Sequence, residues 1–318
     1  MNYDVIIIGG GPAGMAAAIY TTRKKLKTLV VTVDVGGQAL LTNHMENYPG
    51  YTELSGPRLM QIFEEQAKNF GAEFIFGKAA MIGKSGDEFD VFLSNNEKYS
   101  TKTVIVASGK VPKQLNVAGE EKFIGRGVST CSTCDAPLFK NKTVAVIGGG
   151  NSALDAALLL AKIAKKVYLM HRREQFRGDE VLVDKVKKTK NIEVVLNSVA
   201  KEVRGEKFVK SLVIENVKNK ESRELNIDGI FVEIGYEVKT DFVREFAKLN
   251  ESGEIIVNES CETSYPGIFA AGDITNVPYK QTVIAAGQGA IAGLSAYAYL
   301  QKLRGKAASK VDWGEKKI

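Results

Sequence analysis

Two cysteines separated by two residues, Cys131-Ser132-Thr133-Cys134, are followed directly by Asp135. Spacing this close lets one thiolate attack a disulfide while the other resolves it. Asp135 stands beside the pair and can move protons. Two other readings compete. A zinc site takes about four ligands, and only Cys261, His44 and His171 remain, none with ligand spacing to the pair. Two buried structural thiols are the plain alternative. A CxxC in a cytosolic βαβ protein favours the redox dithiol, and no metal is expected. Cys261 has no partner in sequence and reads as a small core hydrophobe.

Two glycine turns are the second source of chemistry. Gly9-x-Gly11-Pro12-Ala13-Gly14 follows an apolar run and opens a helical pattern. In that context the first glycine makes the turn, the second lets the backbone approach a pyrophosphate, and the third lets helix pack on strand. The helix N-terminus then offers amides and a partial positive charge to the phosphates. An acid is expected at the end of the next strand to take the ribose hydroxyls. That strand ends Val30-Val31-Thr32-Val33, with Asp34 one step further, so Asp34 is the candidate. The second turn, Gly148-x-Gly150-Asn151-Ser152-Ala153, is the GxGxxA form. Where a carboxylate would select NAD, the chain has His171-Arg172-Arg173, with Arg177 close behind. A basic cluster there suits a 2′-phosphate, which an acid would repel. The second site is therefore expected to prefer NADPH.

The elements that hold these residues follow from periodicity. Tyr3–Ile8 and Thr28–Val33 read as strands buried on both faces, with a helix from Met15 between them. Thr143–Ile147, a helix Asn151–Ala164 and the strand Lys166–Met170 repeat the arrangement. Thr103–Ala107, running into Ser108-Gly109, and Gly229–Ile234, running into Gly235, read as returns to the sheet of each unit. Gly267–Ala271 is a further strand ending at Gly272-Asp273. A long Ala/Gly-rich helix, roughly Gln281–Leu303, follows and has no unit of its own to complete. The fold class is α/β: two Rossmann-like dinucleotide-binding domains, the second inserted in the first. The expected boundaries are 1–113 with 243–318 for the first domain and 114–242 for the second. The crossovers fall at Lys110–Gln114 and Tyr236–Asp241. Gly125 and Gly127 lie near the first crossover, where they either absorb a backbone change or only make a turn.

Composition agrees and excludes several classes. The chain has 318 residues, enough for two domains at roughly 100–200 residues each. Apolar residues make up 44% and charged residues 25%, as in an ordinary soluble globular protein. Glycine is high at 31 and proline low at 7, which rules out a disordered Pro/Gly tract. Lys plus Arg exceed Asp plus Glu by 43 − 37 = +6, a charge suited to anionic ligands or an acidic partner but too dispersed for nucleic acid. The basic run Lys185–Lys190 reads as a solvated helix face. No stretch approaches a membrane span of about 18 apolar residues. The N-terminus has neither a basic region nor a cleavage signal, so secretion is not expected and a cytoplasmic location is. Three cysteines are too few for a disulfide scaffold.

Taken together, these residues resemble a low-molecular-weight thioredoxin reductase of the bacterial and archaeal type, over essentially the whole chain. The resemblance rests on Gly9–Gly14, Gly36-Gly37-Gln38, Glu46–Gly50, Gly125-Arg126-Gly127, Cys131–Asp135, Gly148–Ala153, His171–Arg177 and Gly272-Asp273. It implies that the first site holds FAD. Gly36, Gly37 and Gln38 would line that site, Asn47 would approach the flavin ring, and Asp273 would bond the ribityl chain. Gln281, Thr282 and Val283 would cover the isoalloxazine, with Gly109 and Gly272 among the cofactor-contacting glycines. Cys134 would exchange electrons with the flavin, Cys131 would attack the substrate disulfide, and Asp135 would be the acid/base. Electrons would pass from NADPH to FAD, to Cys131/Cys134, and on to thioredoxin or a thioredoxin-like protein. A homodimer, and rotation of one domain against the other, are implied in the same way.

One part of the chain departs from that pattern. Gly253–Val257, Cys261-Glu262-Thr263 and Val277–Gln281 are more similar to the flavoprotein component of alkyl hydroperoxide reductase. That component carries an additional N-terminal thioredoxin-like domain, which is not expected here because the chain starts at the first strand. Tyr236-Glu237-Val238 replaces a more usual proline-containing turn. The alternatives are therefore an electron donor to a peroxide-reducing, peroxiredoxin-type system and a non-catalytic dinucleotide redox sensor.

Overall fold

The computed structural model describes residues 2–42 and 45–306. His44 and the last twelve residues of the expected first domain, 307–318, lie outside them. The chain divides into two compact units, Met1–Val111 with Glu237–Ile318 and Pro112–Tyr236. The divisions fall inside both expected crossover segments, somewhat before the boundaries read from the sequence.

In the first unit the parallel strands run in the order Glu73–Phe76, Thr28–Val35, Asn2–Gly10, Lys98–Val106. Lys98–Val106 is shared along its outer edge. The strand Glu88–Leu93 pairs with it antiparallel opposite Lys98–Thr101, and Ile268–Ala270 pairs with it parallel opposite Val104–Val106. The C-terminal segment thus completes the first sheet, as the sequence order requires. The first strand shows why its run is continuously apolar. Val5 and Ile7 enter one core while Ile6 and Ile8 enter another on the opposite face. Each fully buried side chain of this kind stabilises by about 1.5–3 kcal/mol relative to exposure.

The second unit repeats the plan. Its parallel order is Ile192–Val195, Lys166–Met170, Thr143–Gly148, Gly229–Glu233, Val128–Ser129. Ala145 and Ile147 feed one core, Val144 and Val146 the other. An antiparallel meander, Ser198–Gly205, Val209–Asn216 and Ser222–Asn226, is added to this unit. Gly125 and Gly127 form a tight turn. The Gly125 N–H donates to the Val128 carbonyl at 3.0 Å, and a Cβ on Gly127, at φ +120°, would lie 2.7 Å from Val209 Cγ2.

The sequence expectation about membrane spans needs one correction. The helix Thr282–Leu303 has 22 residues and a mean hydropathy of 1.3 over its most apolar stretch, long and apolar enough to cross a membrane by length and composition alone. Packing accounts for that composition. A Cβ on Gly289 would sit 2.0 Å from the Ala13 carbonyl oxygen, and one on Gly293 3.1 Å from that of Ala17. Its small residues therefore let this helix lie directly on the helix Pro12–Arg23, with Ala285, Ala292, Ala296 and Leu300 buried.

Candidate cofactor and dithiol sites

At the first turn, Gly11 is the N-cap of the helix Pro12–Arg23 and no side chain caps that end. Pro12 fits the first helical position because its missing N–H is not needed there. The three glycines differ in what surrounds them. A Cβ on Gly9 (φ +114°) would meet the Ala107 oxygen at 2.3 Å, and one on Gly14 the Gly9 oxygen at 1.8 Å. A Cβ on Gly11 would find nothing closer than the Gly36 oxygen at 3.9 Å. Two glycines are thus fixed by packing, and the middle one faces open space. That is the arrangement a pyrophosphate approaching the backbone needs, so the turn fits the adenine dinucleotide of FAD.

The remaining first-site candidates gather around this turn. The Gly36 N–H donates to the Gly10 carbonyl at 2.9 Å, and a Cβ on Gly37 would lie 3.7 Å from Gly11 Cα. Asp34 Oδ1 accepts from the Gly37 N–H at 2.7 Å, which ties its carboxylate to this second loop. Gln38 Nε2 donates to the Lys110 carbonyl at 3.2 Å, next to Gly109 with φ +64°. Asn47 Nδ2 donates to Gln281 Oε1 at 3.2 Å, and Gln281 is the N-cap of the helix that begins at Thr282. Val283 lines a separate cavity of about 800 Å³ with Tyr20, Tyr48 and Phe63. The Gly272 N–H donates to Gln288 Oε1 at 2.8 Å.

Two lysines that the sequence does not single out organise Asp273. Lys110 Nζ pairs with Asp273 Oδ2 at 3.4 Å. Lys280 Nζ donates to the backbone oxygens of Asp273 at 3.2 Å and Thr275 at 2.6 Å, and pairs with Glu254 at 2.8 Å. Burial pushes the Glu254 carboxyl up, but hydrogen bonds from Lys280 and Asn250 outweigh it and hold the group below its usual range.

The second turn reproduces the first. A Cβ on Gly148 would meet the Glu233 oxygen at 2.2 Å, whereas one on Gly150 would meet nothing within 4 Å. Gly150 N-caps Asn151–Ala161, again without a side-chain cap. A cavity of about 400 Å³ opens here, lined by Gly148, Gly150, Ser152, His171, Arg172 and Arg177 among others. Ala153 packs beneath it, fully buried. Arg173 is not among the lining residues, and neither is Asn151. Asn151 instead exchanges hydrogen bonds with Asp179, donating at 3.0 Å and accepting from the Asp179 N–H at 2.8 Å. His171 is buried, stacked on Phe176 at 5.7 Å, and its Nε2 has no hydrogen-bond partner. Burial, then the charges of Arg177, Arg173 and Arg172, hold its imidazole below the ordinary value. An orphaned buried nitrogen beside two arginines and an open glycine floor fits the phosphorylated ribose of NADPH.

The dithiol belongs to this same unit. Cys131 and Cys134 are joined as a disulfide with Cα atoms 5.4 Å apart. Cys131 caps the short helical turn Ser132–Asp135, accepting from the Cys134 N–H at 3.2 Å. Cys134 is exposed and Asp135 half-buried. Glu233, which the sequence does not single out either, reaches this turn by hydrogen bonds from the Ser132 hydroxyl and N–H. Among the described residues no group of three or more His, Cys, Asp or Glu could hold a metal ion. Cys261 is buried, and burial pushes its thiol up to about 11.

The chain is similar to several known proteins. An alkyl hydroperoxide reductase component of Pseudomonas putida is 43% identical over 303 residues, which are 94% of this chain and 58% of that protein. Its counterpart in Staphylococcus aureus is 40% identical over 299 residues, 94% of this chain and 59% of that protein. The chain therefore spans a little over half the length of these curated relatives. Among solved structures, Lactococcus lactis thioredoxin reductase superposes with a TM-score of 0.79 at 38% identity, over 94% of this chain and 99% of that one. Thioredoxin reductase from T. acidophilum does so with a TM-score of 0.76 at 33% identity, over 95% and 99%. Thioredoxin reductases of this type use FAD and NADPH, which accounts for two glycine turns in one chain. A family model described as pyridine nucleotide-disulphide oxidoreductase matches residues 3–289, a range that takes in both turns and the cysteine pair. The chain belongs to the pyridine nucleotide-disulphide oxidoreductase family.

Proposed function

We propose that the protein is an NADPH-dependent flavoprotein disulfide reductase that delivers two electrons to the Cys131–Cys134 disulfide and from there to thioredoxin or a similar small protein. The observation that carries this reading is the CxxC disulfide in the same compact unit as the second nucleotide turn. When bound, FAD and NADPH supply the hydride chemistry. The chain's own residues bind and orient. Gly11 and Gly150 leave room for the two pyrophosphates, and Arg172 and Arg177 meet the 2′-phosphate with charge-assisted hydrogen bonds. Cys134 is the thiol on the flavin side of the exchange and Cys131 the one that attacks the substrate. Asp135 takes and returns the proton as the pair cycles between disulfide and dithiol.

A second reading has its own support. The curated relatives named above are components of alkyl hydroperoxide reductase, at 40–43% identity. In that reading the acceptor is a peroxiredoxin-type protein. A cytoplasmic location and a homodimer complete the proposal by analogy with the reductases. One experiment tests both readings. The purified protein should be yellow, and anaerobic NADPH should bleach it at lower concentration than NADH. Thioredoxin and a peroxiredoxin-type protein are then added separately to the reduced enzyme. Reoxidation by thioredoxin alone supports the first reading, and reoxidation by the peroxiredoxin-type protein alone replaces it with the second. A colourless protein that no nucleotide alters overturns both.

A further inference from the structure

Glu233 ends an interior strand of the second unit, Gly229–Glu233, whose other residues are all buried. An acid has no packing reason to be there, since burial penalises its charge. Register brings it to the cysteine turn: Phe231 pairs in parallel with Ser129, so Glu233, two residues on, stands level with Cys131, and its carboxyl accepts hydrogen bonds from the hydroxyl and the N–H of Ser132. Ser132 is itself buried and follows Cys131 directly. The same short turn sends the Cys134 N–H to Cys131 Sγ at 3.2 Å. A carboxyl on the sheet is thereby fastened to one of the two residues that separate the cysteines.

We propose that Glu233 is a positioning residue for the dithiol: through Ser132 it fixes the turn, and its charge sets how readily the reduced pair forms a thiolate. The inference rests on the reading of Cys131–Cys134 as redox-active. Reduction breaks the Sγ–Sγ bond with two electrons and two protons and leaves two thiols. Loss of one thiol proton then gives the attacking thiolate.

Burial pushes the Glu233 carboxyl up to about 7, against the pull of the two Ser132 hydrogen bonds. Below that pH it is neutral, and above it its charge opposes a neighbouring thiolate. Other ionisable groups lie on the cysteine turn, on the elements packed against the strand and along the same cavity. Tyr236 is raised by its own burial and then by Glu233. Asp135 sits on the cysteine turn, and Asp155 on the helix Asn151–Ala161 that packs against the strand. Lys210 and Glu215 lie on the meander strand Val209–Asn216, which packs against this one, and Glu215 is paired with Lys201. Lys113, His171, Arg172 and Arg177 line the same cavity as Glu233. The strands on either side, Thr143–Gly148 and Val128–Ser129, carry no ionisable side chain.

The test is the equilibrium of the pair with dithiothreitol, which is oxidised to its cyclic disulfide as the pair is reduced. Protein thiols are counted in the intact protein from about pH 6 to 8.5. In Glu233→Gln the exchange constant should favour the reduced pair about tenfold over wild type at about pH 8.5, equivalent to about 30 mV, and should match wild type at about pH 6. Equal constants at every pH, or one fixed ratio at every pH, overturn the proposal. Should Glu233→Gln not fold, Ser132→Ala serves. It keeps the carboxyl but removes one donor, so the break in the pH profile should move upward, and an unmoved break overturns the proposal. A wild-type pair that never exchanges with dithiothreitol overturns the redox reading itself, and this inference with it. Normal exchange without the pH effect overturns the role of Glu233 alone.

Discussion

Gly11 and Gly14 separate cofactor binding from folding within one turn. At Gly11 the backbone is extended, with φ −75° and ψ −174°, a conformation any residue adopts. A methyl there reaches no protein atom closer than 3.9 Å. Gly11→Ala gains about 0.4–1 kcal/mol by restricting the unfolded chain, and loses a similar amount because alanine is the poorer N-cap. Its net effect on stability should stay within about 1 kcal/mol. The methyl nevertheless occupies the floor over which the pyrophosphate must pass. At Gly14 the same methyl would stand 1.8 Å from the Gly9 oxygen and 2.9 Å from its carbonyl carbon. Both are backbone atoms, so the helix itself must lift off the strand. Core overpacking costs about 1–3 kcal/mol, and so short a contact belongs at or above the top of that range. At about 2–4 °C per kcal/mol, Gly14→Ala should lower Tm by about 6 °C or more. The assay measures melting of the flavin-free proteins and FAD affinity by quenching of flavin fluorescence. Gly11→Ala should melt close to the parent and bind FAD about tenfold or more weakly, a loss of about 1.4 kcal/mol or more. The reasoning fails if Gly11→Ala binds FAD like the parent, or if Gly14→Ala melts like it.

Three further outcomes are expected. Cys134→Ser should leave reduction of the bound flavin by NADPH intact in stopped-flow absorbance but abolish disulfide reduction; undiminished turnover with thioredoxin or a peroxiredoxin-type protein would remove the pair from the relay. Arg172→Ala should raise KM for NADPH about tenfold or more and leave NADH nearly unchanged, since a hydrogen bond to a charged group contributes about 1.5–3 kcal/mol; an equal loss with both nucleotides argues against a 2′-phosphate contact. His171 is held below 6.5, so the unfolded chain takes up a proton that the folded one refuses, and its contribution to stability is present above about 6.5 and lost as pH falls below it. Glu233, raised above 4.5 to about 7, acts in the opposite sense, losing its contribution as pH rises through that value. Glu233 acts alike in both proteins, so in urea unfolding wild type should lose stability relative to His171→Gln as pH falls from about 7.5 to 5.5, and parallel profiles would refute this.

What the sequence disclosed and what it hid divide along a physical line. A glycine turn works through its own backbone, so Gly9, Gly11 and Gly14 carry their geometry in their spacing, and the structure places the second turn in the same way. The CxxC is local for the same reason. The groups that set charge at these sites come from far along the chain. Lys110 reaches Asp273 and Glu233 reaches Ser132 only because parallel strands bring their ends together. Pairing of that kind leaves no period and no spacing to read. Asn151 shows the converse. Its place at the start of a nucleotide-turn helix makes it a cofactor candidate, yet in the fold its amide is engaged with Asp179, a residue of the loop beyond the basic cluster. That bond ties the helix start to the segment carrying Arg177, whose N–H is in turn held by the Gly149 carbonyl at 2.7 Å. Asn151 thus holds the loop that supplies Arg177 to the cavity, a placement that only the folded chain makes visible.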